Sequence, residues 1–209
     1  MTLYVDDILI FGSNLDCINE TKRFLAQTFD IKDLGPVNVI LGIKVIKENG
    51  GFTLTQSHFI EKVLKRFNYF DCKPSKTPIS PNNKLVPNKG EPINQEEYAK
   101  IIGSLMYAMI NTRPDIACAI GILSRFTSNP NSEHWKELSR VMRYLKQTIN
   151  YGLHYRCTNP VLECYSDANW ASDKTNSKST SGWLFTIGGA IVAWSSKKTI
   201  MCCTIIYGV

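Results

Sequence analysis

Apolar residues come in two rhythms along this chain. The chain opens on two short runs, Met1–Val5 and Ile8–Phe11, rich in Val, Ile, Leu, Tyr and Phe and bounded by polar or glycine residues. Runs of that length and composition predict strands. The Asp6-Asp7 step between them predicts a hairpin tip, since aspartate tolerates turn geometry and its short side chain can point off the end of a sheet. A helical period then takes over. Ser13 or Asn14 is placed to cap a helix to about Phe29, with Leu15, Ile18, Leu25 and Phe29 roughly on one face. Residues 37–46 are β-rich, Asn49-Gly50-Gly51 is a turn, and residues 52–55 form a second strand. Ser57 is expected to cap a helix with Phe59, Ile60, Val63, Leu64 and Phe67 as its apolar stripe.

The pattern breaks between Cys72 and Ile93, where Pro74, Pro78, Pro81, Pro87 and Pro92 stand among Asn, Lys and Ser; this predicts an extended linker and a first boundary. Gln95 to Asn111 reads as a helix, apolar nearly all round at its centre and therefore buried. Pro114 opens a helix over Asp115 to Phe126. Asn129-Pro130 breaks the chain, and Ser132 is expected to cap a helix over Glu133 to Gln147. From Tyr151 the period becomes that of strands: 152–155, 161–166, 183–187 and 190–195, with Gly188-Gly189 as a hairpin turn.

Composition adds limits. With 44% hydrophobic and 20% charged residues among 209, the chain is ordinary globular material for one large or two small domains. No apolar run reaches membrane-spanning length and no signal peptide opens the chain. Seven cysteines without a Cys-x-x-Cys pair, and three scattered histidines, argue against a structural zinc and for a reducing, intracellular compartment. The net charge of +6 mildly favours a polyanionic partner.

Candidate chemistry sits first at Asp6 and Asp7. Alone, such a step is a common solvated turn. Two adjacent carboxylates also repel unless a cation lies between them, and Mg²⁺, which takes oxygen ligands, suits the pair. That is the layout of a nucleotidyl-transfer site, where metals clamp the attacking and leaving oxygens. Asp167 closes an apolar strand and is either a turn cap or a second Mg²⁺ ligand. Arg140, Arg143 and Lys146 recur at three-residue spacing on one helical side, as a solvated face or a nucleic-acid contact. Trp170, Trp183 and Trp194 suit a core better than base stacking, and Arg113 is expected to pair with a nearby carboxylate in a structural role.

The stretch Tyr4-Val5-Asp6-Asp7 with its flanking runs resembles the reverse transcriptase hairpin that carries two of three catalytic carboxylates. Further stretches follow in order: Ile40-Leu41-Gly42-Ile43, Leu54-Thr55-Gln56, Ile102-Gly103-Ser104-Leu105-Met106-Tyr107, Thr112-Arg113-Pro114-Asp115, Arg143-Tyr144-Leu145-Lys146, Tyr165-Ser166-Asp167-Ala168 and Lys178-Ser179-Thr180-Ser181-Gly182. Together, over about residues 1–198, they resemble the Pol polyprotein of copia-type (Pseudoviridae) LTR retrotransposons. The resemblance implies an α+β fold: the end of a polymerase palm with a thumb-like region over 1–70, a Pro-rich linker over 71–94, a helical connection segment over 95–150, and a truncated RNase H-like sheet over 151–209. It implies RNA-directed DNA polymerisation and RNase H cleavage, with Mg²⁺ or Mn²⁺ on Asp6 and Asp7 for the first and on Asp167 for the second. Tyr4 would support the primer side of the hairpin. The implied partners are an RNA template, an RNA–DNA hybrid, dNTP and the rest of the polyprotein, without a membrane, in the cytoplasm (a virus-like particle) or nucleus.

Two departures shape the expectation for activity. Three residues precede Tyr4, upstream of which the family carries its third palm carboxylate, and no acidic residue follows Asp173, where a Glu-containing segment is expected. The chain is therefore expected to be a fragment inactive alone. A non-enzymatic nucleic-acid-binding remnant and a translated relic without function are the alternatives.

Overall fold

The computed structural model describes residues 1–81, 85–156, 161–173 and 178–199, with side chains described to 167 in the third range and over 181–196 in the fourth. The fold is α+β and divides into two units, Met1–Ile40 and Leu41–Val209.

In the first unit, strands β1 (Thr2–Tyr4) and β2 (Asp7–Leu9) pair antiparallel. Helix α1 (Leu15–Thr28) follows. Of the two expected caps, Asn14 is the one used: its side chain accepts a hydrogen bond from the Asp16 N–H at 2.8 Å, satisfying one of the orphan donors of the first turn. After the helix, Asp33 accepts from Lys22 at 2.9 Å and from the Gly35 N–H at 2.9 Å. A two-residue strand, β3 (Val39–Ile40), ends the unit. Leu25 is its one buried residue, whereas Met1, Leu3, Phe11, Leu15, Phe24 and Leu34 are exposed.

The second unit is built on helices α2 (Ser57–Arg66), α3 (Gln95–Asn111), α4 (Ala117–Leu123) and α5 (Ser132–Gln147). Ile60, Leu64, Ile101, Leu105, Ile120 and Leu138 lie in one core cluster, all at 1% exposure or less. The expected stripe of α2 is the face it buries. Helix α3 has the expected bounds but not the expected burial: Tyr98, Ile101, Ile102, Leu105 and Ala108 are buried, while Ile110 is 63% exposed and Met106 and Tyr107 are 39% exposed. One helical face is enough to close this core, so the apolar residues behind it stay outside. The caps of α2 and α5 also differ from expectation. Ser57 is already helical, after Gln56, and its N–H is satisfied by the Thr55 hydroxyl at 3.2 Å. Asn131, not Ser132, caps α5, in a capping box with His134. Proline 114 opens a 3₁₀ turn that leads into α4, and a second 3₁₀ turn follows it, splitting the single helix expected here.

Strands β4 (Ile43–Glu48), β5 (Gly51–Thr55) and β6 (Gly152–Arg156) form an antiparallel sheet with β5 central. Strand β6 was expected to begin the C-terminal sheet. It pairs with β5 instead, Leu54 opposite Leu153. Glycine makes this pairing close: a Cβ on Gly152 would stand 2.6 Å from the Leu54 carbonyl oxygen, and one on Gly51 would stand 2.0 Å from that of Tyr155. The remaining sheet is β7 (Leu162–Asp173), β8 (Lys178–Ile187) and β9 (Ala190–Thr199), antiparallel with β7 and β9 outermost. Gly188 and Gly189, both at positive φ, make the expected turn between β8 and β9.

The Pro-rich stretch has no helix or strand among its described residues, yet it does not hang free between units. It lies along α5 as a strap. Ser75 N–H donates to the Arg143 carbonyl at 3.1 Å, Ser80 N–H to Glu137 at 3.0 Å, and His134 meets the Val86 carbonyl at 3.1 Å. The boundary between units falls instead at Ile40/Leu41.

Candidate active site

Tyr4 pairs with Asp7, so the hairpin loop is the two residues Val5-Asp6. The tip is therefore shifted by one residue from the expected Asp-Asp step: Asp6 is in the turn and Asp7 opens β2. Val5 has φ +50°. A positive φ at the first central residue, followed by an ordinary one, has the sign pattern of a type II′ turn, where glycine is favoured. A β-branched residue there costs about 1–3 kcal/mol. The strain falls on Val5, not on an aspartate.

Directly paired residues of an antiparallel ladder share a face, so the Tyr4 ring and the Asp7 carboxylate are neighbours. Tyr4, Asp6 and Asp7 are exposed. Among the described residues neither aspartate has a hydrogen-bond or ion-pair partner, and no group of three His, Cys, Asp or Glu side chains is placed to hold a metal. The donor chemistry of Asp6 and Asp7, two free oxygen ligands at one turn, fits a hard divalent cation that draws its other ligands from elsewhere.

Asp167 lies on β7 opposite Gly182 of β8 and is exposed. It lines a cavity of about 460 Å³ with Asp115 and Cys118 on the helical side and Tyr165 and Trp194 on the sheet. Asp173 is the last residue of β7; its side chain, like that of Trp170, lies outside the described residues. Trp183, expected in a core, is 43% exposed and packs edge-on against Phe185.

The basic row of α5 is occupied within the fold. Arg140 donates to the Thr77 carbonyl and hydroxyl at 3.2 and 2.8 Å, Arg143 to the Lys73 carbonyl at 2.7 Å, and Lys146 to the Cys72 carbonyl at 2.7 Å. These three side chains hold the strap. The sequence pattern shows their common side but carries no signal for a carbonyl row folded back 70 residues away.

Arg113 does pair with a carboxylate. Its guanidinium, 1% exposed, forks onto Asp115 at 2.9 and 2.7 Å and donates to the Thr148 carbonyl and hydroxyl at 3.0 and 2.5 Å. Tyr144 donates to the same Asp115 at 2.9 Å. Burial, then that hydrogen bond, pushes the Tyr144 hydroxyl up to about 12, so it remains a donor.

An α+β chain with this carboxylate-bearing hairpin has the make-up of a reverse transcriptase segment, and residues 1–81 match the family model for reverse transcriptase (RNA-dependent DNA polymerase). Over 207 residues the chain is 43% identical to the retrovirus-related Pol polyprotein of transposon TNT 1-94 from Nicotiana tabacum, covering 94% of this chain and 16% of that protein. It is 40% identical to the corresponding polyprotein of transposon RE1 from Arabidopsis thaliana, over 95% of this chain and 14% of the relative. An uncharacterised mitochondrial protein of Arabidopsis thaliana is 33% identical, over 95% of this chain and 82% of its own length. The chain belongs to the Pol polyprotein family of copia-type LTR retrotransposons, and its residues 1–81 belong to the reverse transcriptase part. It spans about one sixth of the curated Pol polyproteins it matches. No solved structure matches it. Among the described residues no helix is long and apolar enough to cross a membrane.

Proposed function

We propose that this chain supplies the aspartate hairpin of an RNA-directed DNA polymerase, acting within a Pol polyprotein on an RNA template, a growing primer and dNTP. The observation that carries this reading is the pair Asp6 and Asp7, exposed at a strained two-residue turn and free of protein partners among the described residues. Both carboxylates are available as ligands, and Tyr4 beside Asp7 shapes the primer-facing side of the hairpin. Mg²⁺, or Mn²⁺ in its place, would neutralise charge on the attacking and leaving oxygens of phosphoryl transfer. Asp167 is the corresponding ligand for cleavage of the RNA–DNA hybrid. The exposed free thiols Cys17 and Cys118 suit a reducing compartment, in keeping with action inside the cell, in the cytoplasm or nucleus.

Two carboxylates without a third do not assemble a two-metal site, so activity is expected of the polyprotein and not of this segment alone. Primer extension with Mg²⁺ or Mn²⁺ tests this. Asp6→Asn or Asp7→Asn in the polyprotein is expected to lower extension by about a hundredfold or more. Asp167→Asn should spare extension and abolish hybrid cleavage. Unchanged extension in the Asp6→Asn and Asp7→Asn polyproteins refutes the ligand assignment. Extension by the isolated chain that Asp6→Asn removes refutes the claim that the segment is insufficient.

A further inference from the structure

Helix α5 and the strap over it carry charge that no step above uses. Proline sets the strap residues that meet the helix. Lys73 precedes Pro74 and Thr77 precedes Pro78, which disfavours helical dihedrals at both. Theirs are the carbonyls that Arg143 and Arg140 take, at 2.7 and 3.2 Å. The Ser75 N–H between them returns a bond to the Arg143 carbonyl at 3.1 Å. Each of these contacts fixes a long cationic side chain that would otherwise sample many rotamers. Lost rotamer freedom is a main cost of gripping a partner with Lys or Arg, and here the fold has already met it.

A carbonyl satisfies a donor without neutralising the charge behind it. In these contacts Arg140 uses its Nε and one terminal nitrogen, and Arg143 uses its Nε. A guanidinium has further N–H groups, set in a fork that suits phosphate. Lys73 and Lys76 add exposed ammonium groups from the strap itself. Along residues 71–81 and 140–147 Asp71 is the one acidic residue. Glu137, a turn before Arg140, is buried and accepts from the Ser80 N–H at 3.0 Å. The positive sign of this face is therefore written in the sequence. From Arg140 to Lys146 the row runs about 9 Å along α5, widened by the two strap lysines. A phosphodiester backbone suits it, because it presents single negative charges at short regular intervals that cations grip without reading bases. An acidic polypeptide would first have to order its own flexible carboxylate side chains.

We propose that Lys73, Lys76, Arg140, Arg143 and Lys146 form a surface that binds the phosphate backbone of nucleic acid, independently of base sequence and of divalent metal. The strap is part of the site, since its carbonyls hold the arginines ready. The surface uses no residue of the aspartate hairpin and does not rest on that assignment.

Fluorescence anisotropy of the whole chain with a labelled RNA–DNA hybrid, in EDTA and across about 50–200 mM salt, tests the proposal. Affinity should fall with salt at a log–log slope of about −4. The double variant Lys73→Gln, Lys76→Gln leaves the main-chain contacts of the strap in place. It should weaken binding by about tenfold and flatten the slope by about 2. Arg143→Gln should weaken binding and speed amide exchange at Ser75 as the strap loosens. Lys44→Gln with Lys47→Gln removes the same charge from β4 and should change affinity by less than about twofold. Equal losses in the two double variants overturn the proposal, since net charge alone would then account for binding. Unchanged affinity in Lys73→Gln, Lys76→Gln overturns it as well. Polyglutamate that competes as well as unlabelled hybrid at equal charge overturns it in favour of an acidic protein partner. Binding that requires Mg²⁺, or that Asp6→Asn removes, overturns it while leaving the hairpin assignment intact.

Discussion

Replacing Arg113 by alanine is the sharpest perturbation of this fold. The guanidinium is buried, and its donors serve three acceptors at once: the Asp115 carboxylate, the Thr148 carbonyl and the Thr148 hydroxyl. Its plane also stands 5.7 and 5.6 Å from the rings of Tyr144 and Tyr151. Breaking a buried pair by removing one partner costs about 3–5 kcal/mol. Asp115 is 30% exposed and keeps its bond from Tyr144, so water recovers part of that loss and the lower end applies. The Thr148 carbonyl, in a residue 4% exposed, loses its side-chain donor at about 1–3 kcal/mol, a cost partly contained in the first figure. The expected total is about 3 kcal/mol, a large share of the stability of an ordinary domain. Arg113→Lys retains the charge but cannot fork onto Asp115 and reach Thr148 together, so about half of that loss remains. Urea unfolding reads both variants: with m near 2 kcal/mol/M, Arg113→Ala should shift the midpoint down by about 1.5 M at unchanged m. Amide exchange at the end of α5, where Thr148 N–H bonds the Tyr144 carbonyl, should accelerate in parallel. A cost below about 1 kcal/mol for Arg113→Ala, or full stability in Arg113→Lys, refutes this account of the network.

The remaining predictions concern a titration, a turn and a sheet. Burial holds the His134 pKa below the ordinary 6.5, against the opposing pull of the Val86 carbonyl and Glu133. The unfolded chain therefore takes the proton first: this contribution to stability is present above about pH 6.5 and is lost as pH falls from there through the lower folded value. Unfolding midpoints at about pH 7.5 and about pH 5 should differ in the wild type and differ less in His134→Gln. Val5→Gly relieves about 1–3 kcal/mol of turn strain against a glycine cost of about 0.5–1 kcal/mol, so amide exchange across the Thr2–Leu9 ladder should slow; faster exchange would show that Val5 packs usefully. Gly152→Ala drives a methyl into the Leu54 carbonyl and should cost about 1–3 kcal/mol with loss of exchange protection along β6; full stability would contradict the close β5–β6 pairing.

What the sequence made legible follows the range of the interaction behind each feature. The hairpin at Tyr4–Asp7, the bounds of α3 and the Gly188-Gly189 turn depend on neighbours a few residues apart, and pattern and turn chemistry found all three, the hairpin tip to within one residue. Caps were found only to within a residue: Asn131 and Ser132 are both good cap types and differ in which one leaves helical dihedrals, whereas Ser57 lies inside the helix behind Gln56, which makes no side-chain cap bond. The strap, the partner of β6 and the fate of Arg140, Arg143 and Lys146 rest on contacts 48 to 101 residues apart, to which periodicity is blind. The same reasoning bears on the aspartate hairpin. Its identity is local and was read from four residues. Its rigidity is not local: a lone two-stranded ribbon is marginal in water, and the unit that carries it buries Leu25 alone while exposing Leu3, Val5, Phe11 and Phe24. Carboxylates that must hold a metal to within about 0.5 Å need a packed second layer behind them. That layer is not built from the first unit's own side chains, so motif and competence separate in the proposed assignment: Tyr4-Val5-Asp6-Asp7 would supply the ligands, and packing against further protein would have to fix their geometry.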